Sequence, residues 1–277
     1  ILSIDSNDRD INKWPNPYEF EVSCPQNYTN VESIRLISIQ TPNVFYNISE
    51  QLQNNKLIVN YNATGNTTII LEDGLYTSEQ LQNALQNEFA VVDSGFKVIY
   101  NEVNKKMYFG HSANNFLLIF DKSITYNNDC LKQSYNNIYN QHSKWGLGAI
   151  LGFDKKTYTS TNGLNKFQYA STAWITSNTN IIASPKILDL DENQYIFVEI
   201  DKLNSCDEIK PYLVNNHSNA NSGIVNSFFA KVPIIKSFQN QSLNSKDCYL
   251  EGVSYYQPPI EKLSKIKIKL RHHNGMY

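Results

Sequence analysis

Three aspartates near the start of the chain, Asp5, Asp8 and Asp10, come closest in type and spacing to a metal site. Counted from Asp8, acidic or amide residues fill loop positions 1, 3 and 5 and Glu19 fills position 12, as in a calcium-binding EF-hand. The match fails elsewhere. Position 6 is Lys13, where the loop needs glycine for its turn, and Pro15 and Pro17 fall inside it with no flanking helices. The segment reads as a solvated, salt-bridged turn ahead of the first strand, with Asp5, Asp8 and Asp10 as the candidate cation ligands.

The other chemistry-bearing residue types give weaker patterns. Gly146, Gly148 and Gly152 resemble a phosphate loop only loosely, because the last spacing is one residue too long and no βαβ unit surrounds them. Small residues that let a helix pack closely account for them better. His111, His142, His217, His272 and His273 have no partners at spacings that support acid–base or metal chemistry. Cys24, Cys130, Cys206 and Cys248 are far apart and form no Cys-x-x-Cys, which favours free thiols and a reducing compartment. Six Asn-x-Ser/Thr sequons are close to the number that chance gives in a chain with 37 Asn, and carry no weight. The expectation is a protein that is not an enzyme and uses no cofactor.

Near the end, Lys265, Lys267, Lys269 and Arg271 alternate with Ile266, Ile268 and Leu270. In an extended strand that period puts four cations on one face and the aliphatic residues on the other. Such a face suits an acidic protein partner, and these four are the candidate interaction residues. It also suits a solvated sheet face whose charges discourage edge pairing, a reading preferred here over nucleic-acid binding.

The elements that must position these residues follow from composition and period. The chain has 277 residues, 24 Lys+Arg against 26 Asp+Glu and a net charge of −2. That length buries about 75% of the unfolded surface, enough for a core without disulfides or metals. The charge balance lacks the basic excess of a nucleic-acid binder. The longest apolar run, Phe116 to Phe120, is five residues against the roughly 20 of a membrane span. The opening Ile1-Leu2-Ser3-Ile4-Asp5 shows no secretory leader, and a trimmed start is expected.

Periodicity of two dominates. It predicts strands over 18–22, 31–39, 57–61, 67–71, 96–100, 107–109, 116–120, 195–200, 228–232, 248–255 and 263–270. Turn signals such as Trp14-Pro15-Asn16-Pro17 and Glu72-Asp73-Gly74 separate them. Thr77 with Gln80 forms a capping box, and Leu81, Ala84, Leu85 and Phe89 share one face, which predicts an amphipathic helix over about 78–89. A second helix is expected over 143–151, ending near Gly152. The polar, Asn/Tyr-rich stretch 124–166 reads as a partly helical insertion. The fold class is therefore mainly β, an antiparallel jelly-roll β-sandwich in a single domain spanning 1–277.

Several ordered signatures carry a resemblance. They are Ser3 to Asp10, Trp14 to Phe20, Asn30 to Ser38, Pro42 to Tyr46, Asp73-Gly74-x-Tyr76-Thr77, Leu147 to Phe153, Leu263 to Ile268 and Asn274 to Tyr277. Together they resemble capsid-associated proteins of the nucleocytoplasmic large (giant) DNA viruses. The resemblance implies a jelly-roll virion protein, either a penton at the fivefold vertices or a minor capsid protein. It implies partners among the other capsid proteins, including the major capsid protein, a homopentamer if the penton, and assembly in the host cytoplasm. A carbohydrate- or receptor-binding β-sandwich is the alternative from another class.

Overall fold

The computed structural model describes residues 1–42, 46–61, 65–126, 138–141, 144–162, 180–190, 195–210, 224–233, 242–244 and 253–272. The first strands are β1 (Glu19–Arg35), β2 (Gln40–Pro42), β3 (Lys56–Tyr61), β4 (Asn66–Ile70), β5 (Phe96–Asn101), β6 (Lys106–His111), β7 (Phe116–Ile119) and β8 (Thr157–Thr159). There follow β9 (Thr161–Asn162), β10 (Asn180–Ala183), β11 (Tyr195–Ile200), β12 (Cys206–Lys210), β13 (Ile224–Phe228), β14 (Ala230–Pro233), β15 (Ser242–Asn244) and β16 (Val253–Arg271). The helices are α1 (Ser78–Val92), α2 (Ile138–Gln141) and α3 (Leu147–Ile150). All strand pairs among the described residues are antiparallel. The fold class is mainly β, with one long amphipathic helix.

The chain divides into two compact units. One is built from its ends (Ile1–Val44, Asn193–Pro211 and Asn216–Tyr277), the other from its middle (Phe45–Glu192 and Tyr212–Asn215).

In the middle unit two four-stranded sheets, ordered β4-β3-β7-β8 and β5-β6-β10-β9, share one apolar core with α1. Alternation puts Leu57, Val59 and Tyr61 of β3 into that core, opposite Val98 of β5 and Phe109 of β6. Helix α1 begins where its capping box requires: Thr77 Oγ1 accepts from Gln80 N at 3.2 Å and Gln80 Oε1 accepts from Thr77 N at 3.0 Å. Its Leu81, Leu85 and Phe89 are fully buried. Two glutamines one turn apart tie it to the edge strand β5. Gln82 Oε1 accepts from Tyr100 N, and Gln86 bonds both Val98 N and Phe96 O. The helix therefore satisfies backbone groups that an open sheet edge would expose.

Within the predicted insertion, Leu147, Ile150, Leu151 and Phe153 belong to this core, and β8 and β9 extend the two sheets. The predicted helix over 143–151 is shorter, four residues of α3, because it is bracketed by left-handed glycines. Gly146 has φ +98° and Gly152 φ +86°. Ser143 lies outside the described residues.

The end unit carries a four-stranded sheet ordered β1-β16-β11-β14 and the two-stranded ribbons β12-β13 and β2-β15. Its core holds Val198, Ile200, Leu203, Phe229, Val232 and Ile266. Strand β1 joins two segments that periodicity treats as separate strands. It runs past Pro25 by shifting register between Ser23 and Tyr28, and shifts again between Val31 and Ser33. Its partner β16 likewise runs through Pro258 and Pro259. Conversely, the predicted strand 228–232 is broken, because Phe228 pairs with Cys206 in the ribbon while Ala230 pairs with Val198 in the sheet. Cys248 lies outside the described residues.

Candidate functional site

Strand β16 places Lys265, Lys267, Lys269 and Arg271 at alternate positions and turns Ile266, Ile268 and Leu270 toward the end unit's core. The neighbouring strands answer the cations with carboxylates. Register sets Glu19 of β1 and Glu199 of β11 on either side of Lys269, and Glu21 opposite Lys267. The side chains then lean along the strands. Lys267 Nζ lies 2.8 Å from Glu19 Oε1, and Lys265 Nζ 3.2 Å from Glu21 Oε1. Lys269 Nζ stands 3.7 Å from Glu199 Oε2, and Arg271 Nε donates to Glu199 Oε1.

These pairs differ in weight. Lys265 is 60% exposed, so its bond to Glu21 is worth about 1 kcal/mol or less. The Arg271 side chain is only 2% exposed, and losing one partner of such a pair costs about 3–5 kcal/mol. Its guanidinium also lies 4.9 Å from the Phe197 ring centroid, and Nη1 donates to His272 O at 3.3 Å. Lys231 of β14 stacks on Tyr195 at 3.9 Å. It also lies 5.5 Å from the Phe197 ring centroid.

The N-terminal segment covers part of this face. Trp14 lies 4.8 Å from Lys267 Nζ, and the adjacent Lys13 reaches Glu21 at 3.9 Å. Arg9 shapes the loop that carries Trp14, donating to the carbonyls of Ser6, Trp14 and Pro15. With Lys13 and Lys231 the set holds six cations against the carboxylates of Glu19, Glu21 and Glu199. Among the described residues this face carries more cations than carboxylates, which suits polar contact with an acidic surface.

The aspartates of the turn are not brought together. Asp5 Oδ1 accepts from Asn7 N at 2.8 Å and caps a short 3₁₀ turn, Ser6–Asp8. Asp10 Oδ1 accepts from the backbone N–H groups of Asn12 and Lys13. These are Asx-turn bonds. Asp8 is exposed, and among the described residues no three His, Cys, Asp or Glu side chains converge on one point.

Of the histidines, His272 is buried beyond the end of β16 and His111 is buried in the middle unit. His142, His217 and His273 lie outside the described residues. His111 Nε2 lies 3.2 Å from Asp93 Oδ1, while Nδ1 accepts from the backbone N–H groups of Ala113 and Asn114. The Gly95 N–H first, and then the His111 ring, hold the Asp93 carboxyl below its ordinary range. The glycines near α3 serve packing. A Cβ on Gly148 would fall 2.5 Å from the Phe120 ring, and one on Gly152 would fall 2.3 Å from Lys186 O. Cys24 is half-buried and Cys206 exposed, both free, and burial pushes the Cys24 thiol up. Cys130 lies outside the described residues.

A second polar group escapes sequence reasoning. Lys56 is buried, pairs with Glu50 at 2.8 Å and lies over the Tyr126 ring. Lys155 donates to Tyr139 O and stacks on the Tyr139 ring at 4.3 Å. Burial brings the Lys155 ammonium down to about 8 and pushes the Tyr139 phenol up to about 12. No spacing rule links these residues, whose neighbours come from distant parts of the chain.

No protein-family model matches the chain, and no curated protein sequence matches it. Among solved structures it is similar to a chain in the cryo-EM structure of the Sputnik virophage. That match has 12% identity and a TM-score of 0.36, over 93% of this chain and 86% of the other. It is also similar to the mavirus penton protein, with 8% identity and a TM-score of 0.44, over 99% of this chain and 90% of the other.

Proposed function

We propose that this chain is a jelly-roll structural subunit of a large icosahedral DNA-virus capsid, and that its work is assembly. Both compact units belong to one subunit in this reading. Of the two places open to such a subunit, the fivefold vertex is the one adopted: a homopentamer that meets the major capsid protein around its rim. The alternative place is that of a minor capsid protein bound to the major-capsid lattice.

One observation carries the reading. Segments from opposite ends of the chain, which carry the resemblance to capsid-associated proteins, build a single surface: β1 pairs with β16, and Glu19 Oε1 lies 2.8 Å from Lys267 Nζ. Trp14, from another of those segments, stacks on Lys267 between them. The signature residues thus organise one charged sheet face, which is what an assembly surface with polar rims requires. Lys265, Lys267 and Lys269 are its contact residues in this proposal; Arg271, expected among them from the alternation, is buried and holds Glu199 beneath the face instead.

The test is co-sedimentation of the purified chain with the major capsid protein of the same virus. Retention that weakens as salt is raised supports the proposal. A soluble monomer that ignores the capsid protein and retains a glycan or receptor would replace it with the binding-module reading.

A further inference from the structure

We infer that His111 is an acid-sensitive latch: its neutral ring holds the turn joining β6 to β7, and a proton on Nδ1 releases that turn.

The ring sits at the end of β6 and is 3% exposed. Nδ1 accepts from Ala113 N at 3.1 Å and from Asn114 N at 2.9 Å. Both donors are main-chain N–H groups that cannot reverse their role, so the ring is held as the tautomer with its proton on Nε2. That proton points to Asp93 Oδ1 at 3.2 Å. An imidazolium has two N–H donors and no acceptor. A proton on Nδ1 would therefore face two N–H groups, and both bonds must break.

The opposite side of the ring responds in the opposite sense. A charged ring strengthens its bond to the Asp93 carboxylate at the C-cap of α1. Protonation thus tightens the ring on the helix while it releases the turn.

The ring's surroundings confine the response to the turn. Phe96 of β5 packs against it edge-on at 4.8 Å and Tyr61 of β3 at 4.7 Å. From β10, Asn180 stands opposite it and donates to Ala113 O at 3.2 Å. From the turn, Asn114 Nδ2 donates to Tyr61 Oη at 2.8 Å. Asp93 and Tyr61 are the titratable groups among these neighbours. The turn itself passes from one sheet of the middle unit to the other, since β6 and β7 belong to different sheets. Phe109 on one side of it and Phe116 on the other are buried in the core, so the strands stay anchored when the turn lets go. The inference stands independently of the capsid reading.

The test uses the full chain and two NMR measurements, from about pH 8 to about pH 5, across the range in which histidine titrates. Ring ¹⁵N shifts report protonation of His111, and amide exchange, corrected for its intrinsic pH dependence, reports protection. Protection of Ala113 and Asn114 is expected to fall about two- to tenfold at the pH where the ring takes its proton, the scale of losing one net hydrogen bond each. Gly95, held by Asp93, should keep its protection. In His111→Asn, an acceptor that cannot be protonated, the change at Ala113 and Asn114 should disappear. Ring protonation with unchanged protection at both amides would overturn the inference. So would loss of protection only together with the whole unit.

Discussion

Glu199 of β11 serves two cations of β16 at once: Arg271 Nε donates to its Oε1, and Lys269 Nζ stands 3.7 Å from its Oε2. Arg271 is withdrawn from solvent and Lys269 is only partly so, so one carboxylate links the buried end of the charged stripe to its half-buried neighbour. The stripe is thus graded in strength.

That gradient makes the first prediction. Glu199→Ala removes the carboxylate to which the buried Arg271 Nε donates and should cost about 3–5 kcal/mol in chemical denaturation, while Lys265→Ala should cost about 1 kcal/mol or less. Equal effects from the two substitutions would show that burial does not grade these pairs.

The second prediction concerns Gly148. Its Cβ would enter the ring of Phe120, which is itself stacked on Phe153 at 4.9 Å and cannot retreat freely. Gly148→Ala should destabilise the middle unit by about 1–3 kcal/mol, the cost of overpacking a filled core. A thermal or denaturant midpoint equal to wild type would contradict this packing role.

The third prediction is a pH dependence set by Lys155. Its folded value of about 8 lies below the ordinary 10.5 of lysine, because burial disfavours the ammonium. Below about 8 the side chain is charged in both states, and the fold bears the cost of burying it. Between 8 and 10.5 the unfolded chain keeps a proton that the fold has shed, so stability rises with pH. Lys155→Met should flatten that rise in denaturation series between about pH 7 and pH 9.5. A wild-type stability that stays level or falls across that interval would count against the burial.

How much of this was legible in the sequence depends on how local each cause is. Thr77, Gln80, Leu81 and Phe89 lie within a few turns, so α1 and its cap were readable from spacing. The alternation of Lys265 to Arg271 was equally local, and the strand keeps it. Its partners were not readable in that way. Glu21 meets Lys265 across 244 residues, and no spacing rule pairs them. The alternation Glu19-Phe20-Glu21-Val22 did hold a signal, an acidic face on a strand to match a basic one. Joining 18–22 to the first part of 31–39, as far as Arg35, in one strand likewise depended on β16, which carries β1 past Pro25. Asp10 has the spacing of a calcium loop, yet its carboxylate caps the backbone of Asn12 and Lys13, a use that spacing alone does not tell apart from metal ligation. His111 and Asp93, 18 residues apart, meet only because α1 ends beside β6.

The central claim is that the chain assembles as a capsid subunit, and native mass spectrometry across a protein-concentration series tests it most directly. Closed cyclic assembly predicts a discrete fivefold species that persists on dilution. A monomer at every concentration, with no complex formed when the major capsid protein is added, would contradict the account.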